Sequence, residues 1–274
     1  MRYAVLGAGL IGSAAARHLA TLGHDVTLIG PGEPADWASH AGVFASHYDE
    51  GRITRRLDAM PFWSRVSTAS IARYGEIEKA SGISFYSEVG GLIAGPNLSR
   101  VAANAADDAL DYCRLVPHQT AALGYHLPTS VRVFHEPKHA GHISPRRLVA
   151  AQQAAALKAG AARLEETVTA VSEGEVTTDH GTHQFDQVLW AAGGFGAPHL
   201  DLPLKVQART VVFFEIADEM PEMPTLILED GKLINIYLLP PIRYPDGRVY
   251  LKIGGGPMDR QLRTEAEMRA WYHS

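Results

Sequence analysis

The sequence predicts an α/β protein in which a doubly wound, parallel-sheet unit is interleaved with a β-rich (α+β) unit. Three observations predict it. A short apolar strand, Arg2–Leu6, runs straight into Gly7-Ala8-Gly9-Leu10-Ile11-Gly12 and then into a helix. A second strand ending in glycines, Val188–Ala191 before Gly193-Gly194, closes a later helix-containing unit. The stretches between and after these are short β-prone runs punctuated by Gly and Pro, unlike a continuing βαβ series.

The elements follow in order. Ser13–Leu22 reads as the first helix, with Ala16 and Leu19 on the sheet-facing side and Gly23 as a left-handed cap. Val26–Ile29 is the second strand. Pro31–Gly51 is polar and long for a connection without structure of its own, which marks a functional loop. Phe62–Ala80 has a helical stripe of Trp63, Val66, Ile71, Tyr74 and Ile77. Ser84–Tyr86 and Gly91–Ala94 are strands, and Ser99–Leu115 is a helix opened by Asn97 or Ser99. Val131–His135 is a strand. Ser144-Pro145 supplies an N-cap and a first-turn proline for a helix that runs to Lys158 and stops at Gly160. Arg163–Val171 is a strand, and Val176–Phe185 is a hairpin about Asp179-His180-Gly181. Val206–Ile216, Thr225–Glu229, Leu233–Leu239 and Arg248–Ile253 are strands, and Thr264–Tyr272 is a helix. Residues 1–82 and 138–202 form one expected unit; residues 83–137 and 203–274 form the other.

A glycine turn between strand and helix lets a pyrophosphate approach the backbone and rest on the N–H groups of the helix end. The pattern G-x-G-x-x-G continues through Ala16, Leu19, Gly23 and Val26, so Gly7, Gly9, Leu10, Ile11 and Gly12 are expected to hold a dinucleotide. The acidic residue that holds the adenosine ribose in such folds belongs at the end of the second strand, where this chain has Gly30. Glu33 is the nearest carboxylate that can reach back.

Composition narrows the partners. The chain has 274 residues, 46% of them hydrophobic, enough for a large core. Net charge is −5 with no basic run, which argues against nucleic acid. The lone cysteine, Cys113, excludes an intrachain disulfide framework and suits a reducing compartment. With no signal-peptide pattern at the first strand and no apolar run of about 18 residues, the expected location is cytoplasmic, with no membrane span. His135, His139 and His142 are separated by Pro137 and Gly141, so no helical face gathers them and no metal site is expected.

Four passages together resemble the FAD-dependent oxidoreductases of the D-amino acid oxidase superfamily, in particular the monomeric sarcosine oxidases and N-methyltryptophan oxidases. They are the extended glycine pattern Gly7–Val26; Ser46-His47-Tyr48-Asp49-Glu50-Gly51-Arg52-Ile53-Thr54-Arg55; Gly141-His142-Ile143-Ser144-Pro145 with Val168 and Val188-Leu189-Trp190-Ala191-Ala192-Gly193; and Tyr250-Leu251-Lys252-Ile253-Gly254. The resemblance implies a Rossmann-like FAD domain with an interleaved substrate domain. It implies oxidation of the carbon beside the nitrogen of an amine or N-methyl amino acid, with hydride passing to flavin N5 and O2 or another acceptor taking the electrons. It also implies roughly a hundred further residues beyond Ser274, with another glycine turn, a carboxylate-binding lysine and the cysteine that bonds FAD. Cys113 does not match that cysteine.

Site roles follow residue by residue. The resemblance places Arg52 over the flavin, Arg55 on the substrate carboxylate, Lys252 near N5 as the promoter of reaction with O2, and Ser46, Val168, Ala192 and Gly193 against FAD. Three apart, Arg52 and Arg55 share a face if the chain there is helical; the alternative is a solvated basic turn, since Arg56 follows. Lys252 either faces water from an apolar strand or points into a site. Tyr237 either lines a substrate pocket or packs as a core aromatic. His47 is a proton-transfer group beside the flavin or a polar loop residue. The family histidine after the lysine corresponds to Gly256. Two other functions stay open: a nicotinamide-dependent dehydrogenase, and a truncated, non-catalytic flavoprotein fragment.

Overall fold

The computed structural model describes residues 1–196, 200, 202–217, 222–229, 235–255 and 260–273. Four parallel strands form the first sheet, in the order Gln187–Trp190, Arg2–Leu6, Asp25–Ile29, Ala162–Leu164. Alternation along Arg2–Leu6 decides what covers each face. Val5 packs on one side with Val26, Leu28, Ala16, Ala20 and Ala156, beneath the helices Leu10–Thr21 and Pro145–Lys158. Ala4 and Leu6 face the other way, onto Val176 of an antiparallel sheet made by Val168–Ser172, Glu175–Thr178 and Thr182–Gln184, and onto Phe185 just past its last strand. These elements stack in three layers, helices over parallel sheet over hairpin sheet.

All four strands end on the same edge, and the ladder continues one residue further: Gly7 N–H donates to Ile29 O at 2.8 Å, Gly30 N–H to Leu164 O at 3.0 Å and Ala191 N–H to Leu6 O at 2.7 Å. These bonds draw three turns into contact. A Cβ on Gly12 would lie 1.8 Å from Gly7 O, and one on Gly7 (φ +107°) 2.4 Å from Ala191 O. A Cβ on Gly30 would lie 2.7 Å from Ala8 N. Position 30 must be glycine for backbone to pass backbone, which removes the side chain expected to hold a ribose.

The second large sheet has seven strands in the order Val211–Glu215, Val249–Gly255, Asn235–Arg243, Thr225–Glu229, Gly91–Gly95, Arg132–Glu136, Cys113–Leu115. Only Thr225–Glu229 and Gly91–Gly95 pair in parallel. Three short strands, Arg52–Thr54, Gly141–Ile143 and Tyr86–Ser87, form a separate sheet that carries the chain between the two larger ones. The Ser144 cap is formed, its Oγ accepting from Arg147 N–H at 3.1 Å, and the left-handed glycines Gly23 and Gly160 follow their helices. Pro31–Gly51 carries no regular element.

Several expected boundaries differ. Phe62–Ala80 is two helices, Pro61–Ile71 and Tyr74–Ser81, broken ahead of Gly75; Trp63 and Val66 are exposed, and only Ile71, Tyr74 and Ile77 of the expected stripe are buried. The helix from Ser99 ends at Asp107, where Ala109 takes a positive φ of 50°, and Cys113–Leu115 is a strand. Arg163–Val171 divides between two sheets, and Val206–Ile216 is two strands, Val206–Gln207 and Val211–Glu215. Part of Leu233–Leu239, and Gly256, lie outside the described residues.

The crowding at the first turn gives a test by urea unfolding. Helix propensity alone favours Gly12→Ala by about 1 kcal/mol; the clash with Gly7 O reverses the sign, and we expect a loss of about 3 kcal/mol. Gly9→Ala meets nothing closer than His47 Nδ1 at 3.9 Å from ordinary backbone geometry, and leaves the unfolding midpoint unchanged within error.

Candidate active site

A loop and a strand about two hundred residues apart in sequence meet at the larger cavity, of about 630 Å³. Ser46, Arg52 and Arg55 line it from one side, Tyr237 and Lys252 from the other. The strand Arg52–Thr54 and the turn after it present both arginines, so they share the cavity without the helical spacing the sequence suggested. Lys252 points inward and is 5% exposed. Its Nζ pairs with Asp49 Oδ2, donates to Gly51 O at 2.9 Å and lies 5.9 Å from the centre of the Phe213 ring. Tyr237 is half-buried; burial, followed by the nearby Asp49 charge, pushes its hydroxyl pKa up.

Asp49 was not singled out by sequence reasoning, and it organises this side. Besides Lys252 it accepts from Tyr244 Oη at 2.8 Å and from Glu50 N–H at 2.9 Å. Burial pushes its carboxyl pKa up, but the Lys252 charge and the hydrogen bonds from Lys252 and Tyr244 prevail and hold it below the usual carboxylate range. Glu50, the next residue, faces the other way. It accepts from Ser144 Oγ at 2.7 Å and pairs with Arg146, which also grips Glu33 through two bonds of 2.6 and 2.7 Å. A faint sequence signal existed here: Arg146 and Arg147 stand in the first turn of a helix, where the dipole disfavours cations.

Arg55 is positioned from behind. Its Nη2 bonds Asp58 Oδ2 at 2.7 Å, while its Nε is buried with no partner among the described residues. The following turn is held by Glu136, 1% exposed, which accepts from the N–H groups of Arg56 at 3.0 Å and Leu57 at 3.2 Å and pairs with the Arg56 guanidinium. Arg56 is thus structural. Arg52 donates to Ser46 O. Arg209, from just before the edge strand Val211–Glu215, also lines the cavity and had no sequence signal of its own.

A smaller cavity of about 150 Å³ lies beside the first glycine turn, lined by Ala8, Glu33, His47, Arg146, Gln153 and Arg163 among others. Glu33 does reach back to this place. His47 lines this cavity and not the larger one, with Nδ1 facing the Gly9 turn. The first helix has no side-chain N-cap, and the position a Gly9 Cβ would fill is open. Buried His47 Nδ1 and Arg163 Nη1 have no partner among the described residues. An open glycine cradle, an uncapped helix end and two unpartnered buried nitrogens fit an anionic, hydrogen-bonding group such as the diphosphate and ribose of FAD. Ala191 and Ala192 back the turn, with Ala192 Cα 2.9 Å from the Gly7 Cβ position, and Gly193 follows at the start of a short 3-10 helix. Val168 lines neither cavity; it pairs with Thr178 in the hairpin sheet. His135 and His142 sit on different strands and His139 follows in a turn; no group of His, Cys, Asp or Glu among the described residues gathers to hold a metal.

Burial sets a pH limit. It lowers the His47 imidazole pKa to about 4, with the Glu33 charge opposing and Arg146, Arg52 and Arg163 reinforcing. Burial, then Arg147, lowers His142 to about 4. Both rings are neutral in the fold, whereas the unfolded chain protonates them below about 6.5. Their stabilising contribution is complete above that pH and is lost as pH falls toward 4, by up to about 1.4 kcal/mol per pH unit for each ring. Urea unfolding at pH 7 and pH 5.5 reads this loss, and His142→Gln makes the dependence shallower.

The family model described as FAD dependent oxidoreductase matches residues 2–273. Among solved structures, the chain resembles NikD, an amino acid oxidase essential for nikkomycin biosynthesis, at TM-score 0.70 and 22% identity, covering 96% of this chain and 70% of that one. It resembles iminodiacetate oxidase from a Chelativorans species at TM-score 0.66 and 20% identity, covering 98% and 76%. It resembles glycine oxidase from Geobacillus kaustophilus at TM-score 0.64 and 19% identity, covering 96% and 74%. At these identities the likenesses show a shared fold. No curated protein matches. Among the described residues no helix is long and apolar enough to cross a membrane. The two cavities, the glycine turn between parallel strands and the match over nearly the whole chain agree: the protein belongs to the FAD dependent oxidoreductase family.

Proposed function

We propose that the chain oxidises the carbon beside the nitrogen of an amine or N-methyl amino acid, as the sarcosine oxidase-like passages imply. The observation that carries this reading is the larger cavity, where Arg52, Arg55, Tyr237 and Lys252 converge from distant parts of the chain. FAD, when bound, supplies the hydride acceptor and delivers the electrons to O2 or another acceptor. Membership in an FAD family weighs against the nicotinamide alternative.

The chain's own groups do the rest. Gly7, Gly9, Leu10, Ile11 and Gly12 present backbone to the diphosphate, Ala191 and Ala192 hold that turn from behind, and Ala192 and Gly193 border the cofactor. Glu33, fixed by Arg146, faces the ribose. His47, neutral at pH 7, takes a hydrogen bond on the cofactor side. Ser46 and Arg52 border the ring. Arg55 receives the substrate carboxylate on its fork, oriented by Asp58. Tyr237 borders the substrate, and Val211, Phe213 and Ile227 keep the cavity apolar around the reacting carbon. Lys252, fixed by Asp49 and Gly51 O, puts a buried positive group where negative charge on oxygen is stabilised.

The direct test is the visible spectrum of the purified protein before and after anaerobic addition of N-methyl amino acids. A flavin spectrum that bleaches supports the reading; a flavin spectrum untouched by every amine removes it. Gly9→Ala is expected to weaken FAD retention at least tenfold while its fold stays intact. Arg55→Ala raises the apparent Kd of carboxylate-bearing amines about a hundredfold, the worth of a charge-assisted fork, and changes that of a carboxyl-free amine less than threefold. Lys252→Met slows the half-reaction with O2 far more than the half-reaction with amine, in stopped-flow traces; equal slowing removes the oxygen role.

A further inference from the structure

We propose that the larger cavity accepts an amino acid carrying a second acidic group, and that Arg209 holds that group. The inference rests on the amine reading above and names its substrate class.

Among the described residues, four cationic side chains line the cavity against a single carboxylate, Asp49. Each cation has its compensation or lacks it. Lys252 is paired with Asp49. Arg55 is balanced by Asp58 at 2.7 Å, and its Nε has no partner among the described residues. Arg52 spends one Nη on the Ser46 carbonyl, which carries no charge. Arg209 is exposed and has neither hydrogen bond nor ion pair among the described residues. The cavity therefore retains positive charge after its internal pairs are counted, and focuses it on whatever enters. Arg55 stands on the loop side, on the turn after the Arg52–Thr54 strand; Arg209 stands on the edge of the seven-stranded sheet. Val211, Phe213, Ile227 and Ile236 supply apolar wall. Two guanidinium forks reached from different elements, over an apolar floor, suit a short molecule with a carboxylate at each end. A mono-acid leaves Arg209 without a charged partner; a di-acid satisfies both forks.

The test uses the purified protein with FAD and two amine-free ligands that cannot be oxidised: thiodiacetate, with two carboxylates, and methylthioacetate, with one. Calorimetric titration at low salt reads both affinities. Thiodiacetate is expected to bind at least tenfold more tightly, with Arg209→Gln abolishing the difference and leaving methylthioacetate within twofold. Arg209→Lys, which keeps charge without the fork, retains part of the difference. Equal affinities, binding of neither ligand, or a preference that survives in Arg209→Gln overturns the proposal. Should this preference hold while no amine is oxidised, the anion subsite stands and the amine reading falls.

Discussion

Two adjacent carboxylates turned in opposite directions hold the two cavities in register. Asp49 reaches the seven-stranded sheet through Lys252 and Tyr244, and Glu50 reaches the helix over the parallel sheet through Ser144 and Arg146. The segment between the long loop and the Arg52–Thr54 strand is thus tied to both units at consecutive residues. Side chains that alternate to opposite sides of an extended backbone make this possible. Buried ion pairs add little net stability, because desolvation offsets most of the attraction. Their value here is geometric: an unpaired Lys252 or Glu50 has no alternative place in the interior, so the loop has one position.

The glycine turn shows the same logic in reverse. Close passage of Gly7, Gly12 and Gly30 past neighbouring backbone leaves no room for side chains there. The space saved at the turn opens toward Gly9, in front of N–H groups that no side chain caps. It also costs the chain the carboxylate usual at position 30, and Glu33 with Arg146 occupies the neighbourhood instead. A buried neutral histidine and a partly unpaired arginine complete a polar wall beside the turn.

The architecture was legible because it is local. Strand, glycine turn, helix and the Ser144-Pro145 cap are each written within a few residues. Arg52, Arg55, Lys252 and Tyr237 were legible through motif order, and all four reach one cavity. Boundaries failed where tertiary pairing overrode local pattern: Cys113–Leu115 is drawn into a sheet by Val133–His135 although the run before it is helical. Asp49, Glu50 and Arg209 were not legible. A polar loop residue paired with a lysine some two hundred positions away leaves no periodicity, and Arg209 differs from any surface arginine only by the cavity it borders. His47 was read as a proton-transfer group beside the flavin or a polar loop residue; it lines the smaller cavity, one residue of alternation away from Ser46 and Tyr48 on the larger.

The coupling between Asp49 and Lys252 tests the dependence of the site on this clamp most directly. A double-mutant cycle of Asp49→Asn and Lys252→Met, read by urea unfolding, isolates the pair from its surroundings. We predict a coupling of about 2 kcal/mol or more, with the double variant more stable than either single one. Additive losses, within about 0.5 kcal/mol, would contradict the account.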